Sequence, residues 1–524
     1  MKQEDKHHLS IQKNREGIDL IKNGEKDIAY EYFCEAINLN PRYPPPYFNL
    51  GNILMEKKLY KKAIANYIKS NTLDKKNNQY KFKLGLAYAE SGEFKDSIRV
   101  FEKLLKEEDD NLEILNNLGR LHKEIGVFET SINYFEKAIS LNCNFHKPYI
   151  ELGILYAEQG HLEKSISLLN KALNIKNKFI EKKDLKGKEL IKNKSELATI
   201  YWNLSLSNLL LNNYSDGFKQ YEFRICKEFP IRPHAKPISE RITKKLSLKN
   251  KKKILLVSEQ GLGDTIQFVR YSQYLKNIGY EVTLCALNKL HSLFKYSNVC
   301  DSLISQIDAE KVYDIPWAPL LSLPNLLNII PNNVLVKDKY LSVPKERIEK
   351  WEKILKKEKK PIIGINWQGN PNAEKGSAKG RSIPFHEFEL LKSSSYKLLS
   401  LQKGYGLDDL EKCTFKEYFV SAQKDINNTL DFIDTAAIIS CCDLVITSDS
   451  MNAHLSGSLG KETWLLLKYV PDWRWGTKSN FTHWYDSLKL YRQNSNCLWK
   501  DVFRVVANDL KLRYSSNKYS KYNA

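Results

Sequence analysis

No stretch of this 524-residue chain approaches the ~18 uninterrupted apolar residues of a membrane-spanning helix. Residues Met1 to His8 are polar and lead into no apolar run, so no secretory signal is expected. Cysteine is sparse: nine residues with no Cys-x-x-Cys pair among them. Cys441 and Cys442 stand side by side in an apolar run and read as core. This usage points to a reducing cytoplasm without structural zinc, with peripheral contact at the inner face of the membrane left open. Negative charge falls short of positive, giving a formal net charge of +20. The excess is spread along the chain in short clusters such as Lys251-Lys252-Lys253. A solvated basic surface fits that pattern better than a nucleic-acid interface, and anionic small molecules or glycans remain compatible. At 42% hydrophobic residues the chain can bury several cores, and its length suits roughly three to four domains.

The N-terminal half is periodic. Gly17, Gly51, Gly85, Gly119 and Gly153 recur every 34 residues. Twelve positions on come Ala29, Ala63, Ser97, Ser131 and Ser165. Sixteen on come Phe33, Tyr67, Phe101, Phe135 and Leu169. Small residues let two helices approach, and the large residue is expected to wedge between repeats. Pro41 stands where a proline closes a second helix. The series resembles the tetratricopeptide repeat. A sixth, degenerate unit runs from Tyr201 to Arg224 with its phase displaced by 18 residues, after a lysine-rich insertion expected as extended helix or loop. Such arrays stack into a solenoid with a concave groove, which suits capture of a protein partner or a role as spacer.

Beyond a proline- and lysine-containing link the pattern changes. Strand-like runs at 254–258, 281–286, 362–367, 397–401, 444–447 and 463–467 alternate with amphipathic segments, which predicts an α/β domain with parallel sheets in two Rossmann-like lobes. The expected division is 1–178 for five repeats, 179–230 for the insertion and a sixth, capping repeat, and 231–250 for a linker. The first lobe is expected at 251–345, the second at 346–515, and a tail at 516–524.

Four segments carry chemistry. The first is Gln260-Gly261-Leu262-Gly263-Asp264, a glycine loop between a strand and a helix. It lacks the third glycine of a dinucleotide fingerprint, where Ile266 stands, and the ribose-binding acid after the second strand is also missing. Nicotinamide and flavin chemistry is therefore disfavoured, and Asp264 suggests proton abstraction from a hydroxyl. The second is Asp449-Ser450-Met451-Asn452-Ala453-His454, where Asp449 or Ser450 can cap a helix whose free amides favour phosphate. The third is Trp367-Gln368-Gly369-Asn370, followed by Lys375, Lys379 and Arg381, a cationic loop able to clamp a diphosphate. The fourth, Pro471-Asp472-Trp473-Arg474-Trp475, suits either stacking on a base or sugar, or packing as a lid or core edge.

These segments, with Leu321-Ser322-Leu323-Pro324, Arg381-Ser382-Ile383-Pro384, Ser400-Leu401-Gln402-Lys403-Gly404 and Asp434-Thr435-Ala436, follow one another in an order that resembles a bacterial family. Its members join tetratricopeptide repeats to a domain similar to glycosyltransferase family 9, the ADP-heptose:lipopolysaccharide heptosyltransferases. The resemblance covers essentially the whole chain. It implies the two-lobed GT-B fold and inverting transfer from a nucleotide-diphosphate sugar, the co-substrate, with no cofactor. It implies Asp264 as catalytic base, with Gln260, Gly261 and Gly263 forming its loop. Donor binding falls to Asp449, Ser450, Met451, Asn452 and His454, joined by Trp367, Asn370, Lys379 and Arg381, with the two cations unranked. Ser450 stands where the family commonly has threonine. No Asp-x-Asp pair occurs, so metal independence is expected. The acceptor is a glycan or a protein, with the repeats recruiting it or a partner. The competing expectation is a non-catalytic repeat scaffold carrying a degenerate nucleotide-binding domain.

Overall fold

A computed structural model describes residues 3–183, 185–246, 253–337, 339–374 and 376–515. Lys251, Lys252, Lys375 and the tail 516–524 lie outside the described residues. The chain divides into two compact units, residues 1–155 with 167–179 and residues 156–166 with 180–524. No helix among the described residues is long and apolar enough to cross a membrane.

The first unit is built of helix pairs. Gln3–Asn23 packs with Lys26–Leu39, Pro44–Glu56 with Tyr60–Leu73, Asn78–Ser91 with Phe94–Leu105, and Leu112–Glu124 with Phe128–Leu141. The 34-residue glycines explain the close approach. A Cβ on Gly17, Gly51, Gly85 or Gly119 would lie 2.6, 2.6, 2.8 or 2.5 Å from the ring of Phe33, Tyr67, Phe101 or Phe135. Each ring is thus seated on the glycine of its own repeat, and the expected wedge between repeats is corrected to a wedge within one. Ser97 and Ser131 add a bond the spacing did not reveal, donating to the Gly85 and Gly119 carbonyls at 2.7 Å. The turn inside a pair needs a left-handed residue, supplied by Gly92 and Gly126 at φ +84° and +81°. Lys58 takes the same place at +57°, at a cost of about 1 kcal/mol. Helix Lys26–Leu39 stops just ahead of Pro41, as expected.

The second unit holds two parallel sheets. Strands β1 (Lys253–Val257), β2 (Glu281–Cys285), β3 (Ser302–Ile304) and β4 (Trp317–Pro319) form the first, in the order β3-β2-β1-β4. Strands β5 (Ile362–Asn366), β6 (Lys397–Ser400), β7 (Leu444–Ser448), β8 (Thr463–Leu467) and β9 (Leu488–Arg492) form the second, in the order β6-β5-β7-β8-β9. Every pairing is parallel. Strands β5, β7 and β8 are buried along their whole length, as sheets covered on both faces require. All six strands expected from the sequence form. The three missed, β3, β4 and β9, are either three residues long or interrupted by charge.

Helices Leu162–Lys182 and Gly187–Leu210 show the insertion to be extended helix, one of its two expected forms. The sixth helix pair, Gly187–Leu210 with Tyr214–Tyr221, lies in the second unit. Its Leu209, Leu210, Tyr214, Phe218 and Tyr221 share one apolar core with Phe268 of the first lobe and Trp473 and Trp484 of the second. The linker is also no free tether. His234 N donates to Ser258 O, Ile238 N to Val312 O and Ile242 N to Trp317 O, laying residues 231–246 along the first lobe.

Candidate active site

In parallel α/β sheets the loops leaving the carboxyl ends of the strands gather ligands. Two such loops meet in the second unit. After β1 the chain turns at Gln260 and Gly261, and helix Leu262–Asn277 begins. Asp264 is the third residue of that helix, and its Oδ2 accepts from Gly261 N at 2.8 Å. A carboxylate here satisfies an orphan amide and complements the helix dipole. The other oxygen, Oδ1, accepts from Arg474 Nη2 at 2.5 Å. The Asp264 side chain remains 21% exposed while that of Arg474 is 7% exposed.

Arg474 comes from the aromatic loop of the second lobe and ties the lobes together. Its Nη1 donates to Asp472 Oδ1 at 2.8 Å and its Nε to Gln267 Oε1 at 2.5 Å. Its guanidinium stacks 4.4 Å from the Trp473 ring centre. Trp473, Trp475, Trp484 and Tyr485 are all buried, so this loop packs as core edge.

The other loop follows β7. Ser450 stands at the N-cap of helix Met451–Ser458 but makes no side-chain cap. Its hydroxyl donates to Asn366 Oδ1 at 2.8 Å, and Asn366 Nδ2 donates to Gln402 Oε1 at 2.7 Å. The capping expected of Ser450 is therefore replaced by a polar network across the ends of β5, β6 and β7. Asp449 sits at the start of this turn. Its carboxyl is pushed up to about 6, chiefly by burial and next by Asp472, against opposing pulls from Trp475, Arg381 and Arg474. Burial also lowers the Lys468 amine, which Asp449 and Asp472 pull back up.

Gly263 joins the two loops. A Cβ there would lie 3.0 Å from His454 Cδ2 and 3.4 Å from Met451 Cα. The second-lobe helix occupies the space beside this glycine. His454 is buried, stacks on Trp475 at 5.4 Å, and pairs through Nδ1 with Tyr485 Oη at 3.0 Å. Burial, then Arg474 and Arg270, hold its pKa well below the ordinary imidazole value, so the ring is neutral. Tyr485 Oη continues to Tyr340 Oη at 3.2 Å, and Arg270 Nη2 donates to Tyr340 at 3.1 Å.

The remaining expected residues scatter. Trp367 is wholly buried against Phe385 and bonds Asp409, so it offers no face to a donor and belongs to the core of the second lobe. Asn370 closes its own turn by accepting from Asn372 N at 3.0 Å. Lys379 is exposed, and its carbonyl accepts from Lys468 Nζ at 2.9 Å. Arg381 lies 3.7 Å from Glu374 and close enough to Asp449 to lower its carboxyl. Asn452 is buried, and its Oδ1 has no hydrogen-bond partner among the described residues. No group of three or more His, Cys, Asp or Glu side chains able to hold a metal occurs among the described residues.

Arg474, Asp472 and Lys468 were missed as charged members of this neighbourhood. The Asp472-x-Arg474 spacing is visible in the sequence, but the flanking tryptophans fit stacking or core packing and say nothing of the charges between them.

Comparison with known proteins settles the first unit's class. The tetratricopeptide repeat model matches residues 44–77, 112–144 and 146–179, in the register of the glycine series. The chain carries tetratricopeptide repeats. Among curated proteins it is similar to Protein FlbA of Caulobacter vibrioides, at 22% identity over 341 residues. That match takes in 60% of this chain and 55% of the relative, so the chain spans about half of the relative's length. Among solved structures it is similar to a tetratricopeptide repeat protein from Parabacteroides merdae at 17% identity and TM-score 0.35, covering 43% of this chain and 82% of that one. MamA from Desulfovibrio magneticus RS-1 matches at 16% identity and TM-score 0.31, over 32% and 96% of the respective chains.

Proposed function

We propose that the second unit is a glycosyltransferase of GT-B type, inverting and metal-independent, that moves a sugar from a nucleotide-diphosphate donor to a glycan or protein acceptor. The observation that carries this reading is the meeting of Asp264, on the first-lobe loop, with the Asp449–His454 turn and the cations Arg474 and Arg381 of the second. In this reading the acceptor hydroxyl gives its proton to Asp264 as its oxygen bonds the anomeric carbon. The bond from that carbon to the diphosphate oxygen breaks, and the electron pair leaves with the nucleotide. Amides of Ser450 and Met451, with Arg381 or Lys379, balance the leaving charge. The repeat array recruits the acceptor or a protein partner. The test is turnover of nucleoside-diphosphate sugars by the full chain and by Asp264→Asn. A large loss in the variant is expected, and unchanged turnover would remove Asp264 from the reaction.

One observation favours a second reading, a scaffold with a degenerate transferase fold. Both oxygens of Asp264 are already engaged, one by Gly261 N and one by Arg474. Thermal shift with nucleoside diphosphates separates the two readings. Stabilisation by ligand that disappears in Asp449→Ala supports a working donor site, whereas no stabilisation of the native chain supports the scaffold.

A further inference from the structure

We infer that Tyr221 and His234 are positioning residues for the Gly261–Asp264 loop, so that the sixth repeat is a working part of the transferase unit. The consequence for turnover rests on the proposed transfer, while the geometry does not. Gln260 has φ +60°, a left-handed conformation that side chains with a Cβ seldom adopt. It persists only where its surroundings hold it, and here they do. Gln260 Nε2 donates to Tyr221 Oη at 2.9 Å, and the Gln260 carbonyl lies 3.1 Å from His234 Nε2. His234 Nδ1 is 2.9 Å from Ser258 Oγ. In a neutral ring Nε2–H donates to the carbonyl, leaving Nδ1 to accept from the Ser258 hydroxyl. Between them Glu259, wholly buried, receives Arg224 through two bonds at 3.0 and 2.6 Å, and its Oε1 also accepts from Leu321 N at 3.2 Å.

Three consecutive residues ahead of the site are therefore held from outside the strand and helix they join. Tyr221 and Arg224 both come from the sixth repeat. Its register makes the adaptation plain. One period beyond Gly153 plus the 18-residue displacement falls on Ser205, and sixteen further on is Tyr221. That is the place of Phe33, Tyr67, Phe101 and Phe135 in the array, where the ring closes a helix pair. In the sixth repeat the same position also carries a hydroxyl to the site loop. Gln260 sets the direction of Gly261, whose amide holds Asp264.

The experiment compares the full chain with Tyr221→Phe, His234→Ala and the double variant Tyr221→Phe/Gln260→Gly, each checked for folding by circular dichroism. Amide hydrogen exchange over residues 258–265 is measured alongside sugar-transfer kinetics. Exchange there is expected to speed up about tenfold in Tyr221→Phe, as loss of one hydrogen bond predicts, and at least as much in His234→Ala, which loses two. Turnover number should fall about tenfold or more while the nucleotide-sugar KM stays constant, because the donor is held by the other lobe. Glycine takes the left-handed conformation unaided, so the double variant should recover. Unchanged exchange in both single variants, or a double variant no better than Tyr221→Phe, would overturn the inference. Should exchange respond as expected while the native chain transfers no sugar, the positioning role stands and the transferase reading fails.

Discussion

Replacing Asp449 by asparagine should make the second unit more stable at neutral pH. Asp449 titrates at about 6 in the folded chain against 3.8 ordinarily, mainly through burial and then through Asp472. The folded state therefore binds more protons than the unfolded state between those values. Stability is fully present below pH ~4 and declines as pH rises through ~6. A shift of about two units corresponds to about 3 kcal/mol. Because the side chain keeps some solvent access, about 2 kcal/mol is the working figure. Asparagine imitates the protonated carboxyl and cannot ionise, so it escapes the decline. Differential scanning calorimetry from pH 4 to 8 should show the two proteins coinciding near pH 4. By pH 7 the variant's second-unit transition should lie higher by roughly 2–5 °C. A variant that melts at or below the native chain at pH 7, or that differs equally at pH 4 and pH 7, would refute the assignment of an ionised, penalised carboxyl at this turn.

Two other perturbations test the packing. Gly119→Ala puts a methyl 2.5 Å from the Phe135 ring, and should destabilise the first unit by about 1–3 kcal/mol, read in calorimetry as a lower melting transition of that unit without movement of the second. Glu259→Gln leaves the buried Arg224 guanidinium with Glu222 as its remaining carboxylate, and should cost the second unit about 1.5–3 kcal/mol in denaturant unfolding; a loss below 1 kcal/mol would show that the pair is dispensable.

The repeats were legible because their physics is local. A glycine, a small residue and a ring at fixed offsets specify one helix pair, and the pair repeats. The strands of both sheets were legible for a similar reason, since runs such as Ile362 to Asn366 are apolar throughout and end in turns. What the sequence hid were relations between distant segments. Trp367 looked like part of a cationic loop because its neighbours Gly369 and Asn370 are turn residues. Its own ring follows the last residue of β5 into the core, and nothing in the local spelling distinguishes those directions.

Asp264 is the instructive case, because one acid serves two structural tasks before any chemistry. Its spacing from Gly261 is the third-residue cap of a helix, which alone would justify it. Its other oxygen answers Arg474, more than two hundred residues away, and no periodicity connects the two. The same holds for Gly263, which admits His454 and the start of helix Met451–Ser458. A Cβ there would crowd the His454 ring at 3.0 Å, so the glycine eases the close approach of the two loops. If transfer occurs here, the acceptor approaches Asp264 from its exposed side, and the narrowness of the junction at Gly263 fixes the base relative to the donor turn. The resemblance that suggested a catalytic acid thus points to a residue whose position depends on three separate elements. These are its own helix cap, the arginine of the aromatic loop, and the sixth repeat acting through Gln260.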